Sequence, residues 1–267
     1  MRVEFALLDV FCERPFAGNQ LCVVPEPGGL DAAGMQTVAR EIGFSETTFV
    51  TGTDAEGFRM RIFTPGEELP FAGHPTLGTS YYLVADRRVP TAELEVCVEA
   101  GTIPVWVELE EGTARMRQLP PIFDTPLRDR ASAAHACLLD AGDLDPALPV
   151  RTVSTGLGHL IVPVRDAATL ERAERDGRSV RRVCERTGAE AIYLFAVEGE
   201  GAVTARMFDG GVGIGEDPAT GSAAGPLGAY LSEHRVAGMP GRVRIHQGAQ
   251  VLRPSTLVVD TERAGEG

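Results

Sequence analysis

The sequence predicts a duplicated α/β protein, each half carrying strands and two helices, the second helix wrapped by a curved sheet. Three observations carry that expectation: a motif order that repeats along the chain, strand patterns that alternate with two helices per half, and small residues packed into the second helix. The repeat is the strongest of the three. Glu68-Leu69-Pro70-Phe71-Ala72-Gly73-His74 returns as Glu216-Asp217-Pro218-Ala219-Thr220-Gly221-Ser222, about 148 positions further on. Tyr82-Leu83 and Tyr230-Leu231 keep the same offset. Arg61-Ile62-Phe63 corresponds to Arg206-Met207-Phe208, and Gly18-x-x-x-x-Val23-Val24-Pro25 echoes Gly156-x-x-x-x-Ile161-Val162-Pro163. Glu46-Thr47-Thr48-Phe49 aligns with Glu190-Ala191-Ile192-Tyr193. Chance can supply one such match, whereas several in the same order indicate a duplicated unit.

Val3–Phe11, Leu21–Val24 and Thr47–Thr51 are rich in Val, Phe and Thr and read as strands. Between the last two, Asp31–Glu41 has helical character, with Asp31 as N-cap and Gly43 just past the end. Phe58–Phe63 alternates until Thr64-Pro65-Gly66 breaks it. Pro75 to about Asp86 reads as a helix, because proline is tolerated in a first turn. Leu94–Val98, Pro104–Leu109 and Ala114–Leu119 form a meander around a Glu110-Glu111-Gly112 turn. Leu119–Pro126 carries Pro120, Pro121 and Pro126, which cannot serve a central strand. It is the linker that divides the expected domains, 1–118 and 119–267, with the last strand free to return to the first. A charged helix follows near Ala167–Thr187, then strands at Ala191–Val197 and Val203–Phe208.

The helix after the second turn holds Ser222, Ala223, Ala224, Gly225, Gly228 and Ala229. Glycine costs a helix about 1 kcal/mol relative to alanine, so this choice fits a backbone that must approach surrounding strands closely. Pro226 lies past the ideal first-turn position and predicts a distorted start.

Composition narrows the function. Twenty-five Lys+Arg against 38 Asp+Glu give −13, which argues against a nucleic-acid or acidic-membrane surface. A helix N-terminus can still supply a local positive field for an anionic ligand. Cys12, Cys22, Cys97, Cys137 and Cys184 are scattered, odd in number and never C-x-x-C, so neither a zinc site nor a secreted disulfide framework is expected. The alternating N-terminus lacks the apolar core of a signal peptide, and no apolar run reaches the roughly 20 residues of a membrane span. The expectation is a cytoplasmic protein without a membrane or nucleic-acid partner. His74, His135, His159, His234 and His246 show no ligand spacing, so no metal is expected. Gly210-Gly211-Val212-Gly213-Ile214-Gly215 imitates a dinucleotide motif, but Glu216-Asp217-Pro218 interrupts the helix such a site requires, and it reads as a flexible loop.

The chemistry is expected at the two turns. Gly73 and Gly221 each precede a helix after a proline-fixed approach, where free amides and the positive end of the dipole favour carboxylates. Proton transfer at carbon needs a base whose pKa is moved toward working pH. Glu46, between Phe44 and Phe49 at the mouth of an apolar strand, is the carboxylate that desolvation would raise. The plainer readings are a strand-end Glu46, a hydrogen-bonded structural His74, an Asp217 that forms a turn before proline, and a Ser222 that caps a helix.

At these residues the sequence resembles the PhzF-like family of phenazine biosynthesis. The resemblance rests on Asp9-Val10-Phe11, Pro15-Phe16-x-Gly18-Asn19, Ser45-Glu46-Thr47-Thr48-Phe49, Arg61-Ile62-Phe63-Thr64-Pro65, Glu68-Leu69-Pro70-Phe71-x-Gly73-His74-Pro75-Thr76, Glu216-Asp217-Pro218-Ala219-Thr220-Gly221-Ser222-Ala223 and Arg253-Pro254-Ser255. It implies the diaminopimelate-epimerase-like fold, α+β with two pseudo-symmetric domains, each a barrel-like mixed β-sheet around a central helix, with the active site between them, a homodimer, and no cofactor. It also implies an isomerase that moves a proton on a small carboxylate, as in trans-2,3-dihydro-3-hydroxyanthranilate isomerisation. By the same resemblance Glu46 is the acid/base, and His74, Asp217 and Ser222 orient and help protonate. Amides at Gly73 and Gly221 would hold the substrate carboxylate, with Pro75 and Thr220 also among the substrate-binding residues. The related epimerases use two opposed cysteines, and neither turn here carries one, which disfavours a two-thiol racemase. The alternatives are an epimerase or racemase of another amino-acid-like substrate, or a non-catalytic binding member. Gln20, Gly210 and Leu252 depart from the proline, proline and glycine usual at those places, and all three touch loops more than the catalytic set.

Overall fold

A computed structural model describes residues 2–211 and 215–262. Chain contacts divide it into two compact units, the first comprising residues up to Val10 with Asn19–Gln118, and the second comprising Phe11–Gly18 with the residues from Leu119 onward. Phe11–Gly18 groups with the second unit for a local reason. The Gly18 N–H donates to Pro254 O, the Arg253 guanidinium donates to Ala17 O and Gly18 O, and the Thr256 N–H donates to Phe11 O.

The first unit runs β1 (Ala6–Val10), β2 (Asn19–Val24), α1 (Ala32–Ile42), β3 (Glu46–Thr53), β4 (Gly57–Phe63), β5 (Glu68–Leu69), α2 (Gly73–Ala85), β6 (Glu93–Val98), β7 (Gly101–Glu108) and β8 (Thr113–Met116). Its sheet order is β1-β2-β3-β4-β6-β7-β8, with β5 paired to β4. The pairs β2–β3 and β4–β6 are parallel, so the sheet is mixed. Helix α2 lies against β1, β2, β3, β6, β7 and β8, strands from both ends of the sheet, so the sheet curls around it. The predicted caps of α1 are present: Asp31 accepts from the Gly34 N–H at 2.8 Å, and Gly43 is left-handed at φ 72°.

The second unit runs β9 (Ile122–Phe123), α3 (Arg130–Ala136), a 3₁₀ turn (Ala141–Asp143), β10 (Arg151–Ser154), β11 (Gly158–Pro163), α4 (Ala167–Arg172) and α5 (Gly177–Thr187). It continues through β12 (Ala191–Gly199), β13 (Ala202–Asp209), β14 (Glu216–Asp217), α6 (Gly221–His234), β15 (Arg242–Gln247) and β16 (Ser255–Asp260). From β10 to β16 the order β16-β15-β13-β12-β11-β10-β9 reproduces β1 to β7 of the first sheet, with β14 on β13 as β5 is on β4. Strand β9 is added at the β10 edge, and β8 has no counterpart among the described residues. The last strand pairs with β15, inside this unit. Of the predicted Gly210–Gly215 loop, 212–214 lie outside the described residues.

Three expectations are corrected. The charged helix near Ala167–Thr187 is two helices, because Asp166 caps the first and Asp176 starts another by accepting from the Arg178 N–H. The linker contributes a short strand, β9, which pairs with β10. The third concerns register. Phe49 pairs with Arg61 in the first unit and Leu194 with Arg206 in the second, so Glu46 corresponds to Ala191 rather than to Glu190.

Each central strand of the second unit is covered on both faces. Leu160, Val162, Ile192, Leu194 and Phe208 join one apolar cluster with α3, α4 and α5. Ile161, Tyr193 and Phe195 alternate to the other cluster, with Leu227, Tyr230 and Leu231 of α6. Glycine lets the central helices approach the sheet as the small-residue pattern predicted. A Cβ on Gly78 would come within 2.7 Å of Val10 and Leu21 side chains, and one on Gly228 within 2.6 Å of Val259. Helix α6 runs on through Pro226, whose missing N–H removes the bond that would reach the Ser222 carbonyl.

Candidate active site

Each turn is built on a clamp between two predicted motifs. Arg61 donates through Nε and Nη2 to both Glu68 oxygens at 2.6 Å, while Arg206 reaches both Glu216 oxygens at 2.8 and 2.7 Å. Each guanidinium also lies over a phenylalanine ring, Phe63 at 5.1 Å and Phe208 at 5.0 Å from the centroid. The glutamate of each E-x-P-x-x-G turn is therefore structural. It ties the turn to the strand before it and fixes where the helix begins. Neither helix has a side-chain cap: α2 starts after Ala72, and the Thr220 hydroxyl before α6 is turned to Asp217 instead.

In the first unit the structure brings Glu46 and His74 together. Glu46 opens β3 at 9% exposure, His74 is the second residue of α2 at 5%, and Oε2 and Nε2 lie 3.3 Å apart. The Ser45 hydroxyl donates to Asn19 Oδ1 at 3.1 Å, which turns the Asn19 amide nitrogen toward His74 Nδ1 at 3.4 Å. Donation into Nδ1 places the ring proton on Nε2, facing the Glu46 carboxylate. A strand, a helix start and a strand-end asparagine thus hold one carboxylate and one imidazole side by side. Gly73 and Pro75 flank His74 in the buried first turn.

In the second unit Asp217 is buried and anchored, with the Thr220 hydroxyl donating to Oδ2 at 2.6 Å. Gln247 is the hub that the sequence reading missed. Its amide nitrogen donates to Asp217 O and to Thr220 Oγ1, and its Oε1 accepts from the Thr220 N–H and from the Tyr193 hydroxyl. Burial pushes the Tyr193 phenol well above its ordinary range, so it stays a donor. Ser222 does not cap α6. As its second residue it sits 3.1 Å from Nε2 of His159, a residue that no local motif singled out. Gly221 opens the helix. Among the described residues no cluster of three or more His, Cys, Asp or Glu is arranged to hold a metal ion.

Comparison with known proteins shows the class: the chain is an enzyme of the isomerase class. The chain is 35% identical to a trans-2,3-dihydro-3-hydroxyanthranilate isomerase of Pseudomonas aeruginosa, over 98% of this chain and 92% of the relative. Among solved structures it is similar to a "predicted epimerase" of Pseudomonas aeruginosa, 36% identical with TM-score 0.86 over 99% of this chain and 93% of that one. It is also similar to a phenazine biosynthesis protein of Bacillus anthracis, 30% identical with TM-score 0.88 over 97% and 90%. The chain belongs to the phenazine biosynthesis-like family (PhzC-PhzF), which matches residues 8–266. The sheet-around-helix α+β fold that the resemblance implied is the fold of these relatives.

Proposed function

We propose that this isomerase moves a proton between carbons of a small carboxylate, with trans-2,3-dihydro-3-hydroxyanthranilate as the first candidate substrate. The observation that carries the reading is the buried Glu46–His74 pair at 3.3 Å. In the proposed step the substrate C–H bond breaks, its proton goes to the Glu46 carboxylate, and the electron pair enters the conjugated system. The same carboxyl group then returns the proton to a different carbon. The shift is redox-neutral, so its stoichiometry calls for no cofactor. His74 steadies the carboxylate and assists protonation. In the second unit Asp217, Thr220 and Ser222 are proposed to orient the substrate, with the amides at Gly73 and Gly221 and the fixed entry at Pro75 favouring its carboxylate. The reading includes a cytoplasmic homodimer. Support for a reducing compartment is that none of the five cysteines forms a disulfide, and sedimentation would test the dimer.

Epimerisation of another amino-acid-like substrate is the second reading, favoured by likeness to the "predicted epimerase". A two-thiol mechanism finds no support in the cysteines: burial pushes Cys22 up to about 11 and Cys184 up to about 12, where thiols are poor bases at neutral pH. Incubation with trans-2,3-dihydro-3-hydroxyanthranilate in D₂O tests the proposal. Product should acquire solvent deuterium, and Glu46→Gln should slow incorporation by roughly 10²–10⁴-fold without unfolding the protein. Tight binding with no exchange would leave a binding protein, and exchange with inversion at one carbon would favour the epimerase.

A further inference from the structure

The proposed reaction leaves one buried group of the second unit unused. His159, on β11, is 2% exposed, and its Nδ1 is buried with no hydrogen-bond partner. Its other nitrogen, Nε2, is the one 3.1 Å from Ser222 Oγ. Strand pairing sets His159 beside Ala191 as it sets Leu21 beside Glu46, so the matching position of the first unit is a leucine. Apolar packing alone would be served by leucine here as well. A buried imidazole with an orphan nitrogen is costly, and the Ser222 contact is the interaction that leucine would lack.

We infer that His159 is a positioning residue for Ser222: its Nε2–H donates to Ser222 Oγ and leaves the serine's own proton to donate to an anionic oxygen of the substrate. The orphan nitrogen decides the tautomer. A proton on Nδ1 would bury an N–H without an acceptor, and orphaned N–H groups are rarer in folded proteins than under-satisfied acceptors. Burial also depresses the ring's pKa to about 4, so the doubly protonated form is scarce near neutrality. So weak a base is poorly matched to deprotonating a serine, and the pair serves orientation rather than nucleophilic attack. The first unit reverses the arrangement, with the imidazole on the helix at His74 and its carboxylate partner on the strand at Glu46. The inference rests on the proposed role of Ser222 as a substrate contact.

Its test has an arm that needs no substrate. Imidazole ¹⁵N–¹H correlation of the labelled protein near neutral pH should show His159 neutral with its proton on Nε2, and a proton on Nδ1 would overturn the inference whatever the reaction proves to be. In the second arm the affinity for anthranilate, a stable ring carboxylate, is measured by calorimetry. Ser222→Ala and His159→Leu should each weaken binding by roughly ten-fold or more, and the double variant should lose no more than either. His159→Gln, whose amide N–H replaces Nε2–H, should restore most of the affinity. Wild-type affinity in His159→Leu, or no rescue by glutamine in a variant of normal Tm, would refute the positioning role. A Ser222→Ala protein that binds as the wild type does would overturn the contact with the anion, leaving the D₂O result to judge the isomerase reading by itself.

Discussion

In the first turn Leu69 and Ala72 occupy the places that Asp217 and Thr220 occupy in the second, and strand pairing adds three further exchanges. Thr48 corresponds to Tyr193, Val98 to Gln247, and Leu21 to His159. In the other direction Glu46 corresponds to Ala191. The Arg–Glu clamp over phenylalanine is kept in both halves. Duplication has thus preserved the groups that satisfy the frame, while side chains at the helix starts have diverged into the Glu46–His74 pair and an anchoring network. Leu69, Ala72, Val98 and Leu21 are apolar where Asp217, Thr220, Gln247 and His159 are polar, because one buried hydrogen-bond network needs all of its members at once. A lone Gln247 opposite Leu69 and Ala72 would have no side-chain partner.

Ways to break this comparison run from chemistry to loop strain. The Glu46→Ala substitution copies the second unit and should lower deuterium exchange by at least the roughly 10²–10⁴-fold expected of glutamine. Wild-type exchange in that variant would remove the acid/base from the first unit. The two clamps should differ in weight. Arg206 and Glu216 side chains are 7% and 15% exposed, against 34% and 29% for Arg61 and Glu68, and Arg206 also donates to Leu170 O, Glu171 O and Ala173 O at the end of α4. Urea unfolding should therefore show Arg206→Leu losing about 3–5 kcal/mol and Arg61→Leu under about 1 kcal/mol. Equal losses would mean that burial does not separate the clamps.

His159 makes the second unit sensitive to acid. Its folded pKa, about 4, lies below the ordinary 6.5, so the unfolded chain binds its proton first as pH falls. Its contribution is complete above about pH 6.5 and declines toward pH 4, a loss on the order of 3 kcal/mol. The His159→Leu variant, matching Leu21, should lack that part of the slope in denaturation curves taken across this window, and an unchanged slope would contradict the shift. Gln247→Val, matching Val98, strands the Asp217 carbonyl, the Thr220 N–H and the Tyr193 hydroxyl, and should cost about 1–3 kcal/mol. The smallest effect concerns the connections β6–β7 and β15–β16. The first turns tightly just before Gly101, whereas the longer second loop holds Leu252 at φ 60° and 86% exposed. Leu252→Gly should raise stability by about 0.5–1 kcal/mol, read as a higher urea midpoint.

Much of the frame was legible because local residues specify it. Asp31 and Gly43 bound α1 through their own backbone geometry, and Pro70, Gly73, Pro218 and Gly221 mark the two helix entries by steric restriction. The division of the charged segment into α4 and α5 was hidden, since Asp176 reads equally as a helix residue or a cap until its partners are known. Asn19 stood in plain sight within a motif, but nothing in its neighbours shows that it reaches His74.

By itself, then, the sequence determined the duplication, the two glycine turns before helices, and the carboxylate, imidazole, acid and hydroxyl that mark them. Tertiary structure alone decided which side chains meet. His159 and Ser222 lie 63 residues apart, Gln247 and Asp217 30 apart, and only strand order and helix placement join them. Matching letters also aligned Glu46 with Glu190, whereas strand register makes its counterpart Ala191, one residue further on. That single step matters because successive side chains of a strand point to opposite faces, so register, rather than identity, decides which residue faces the central helix.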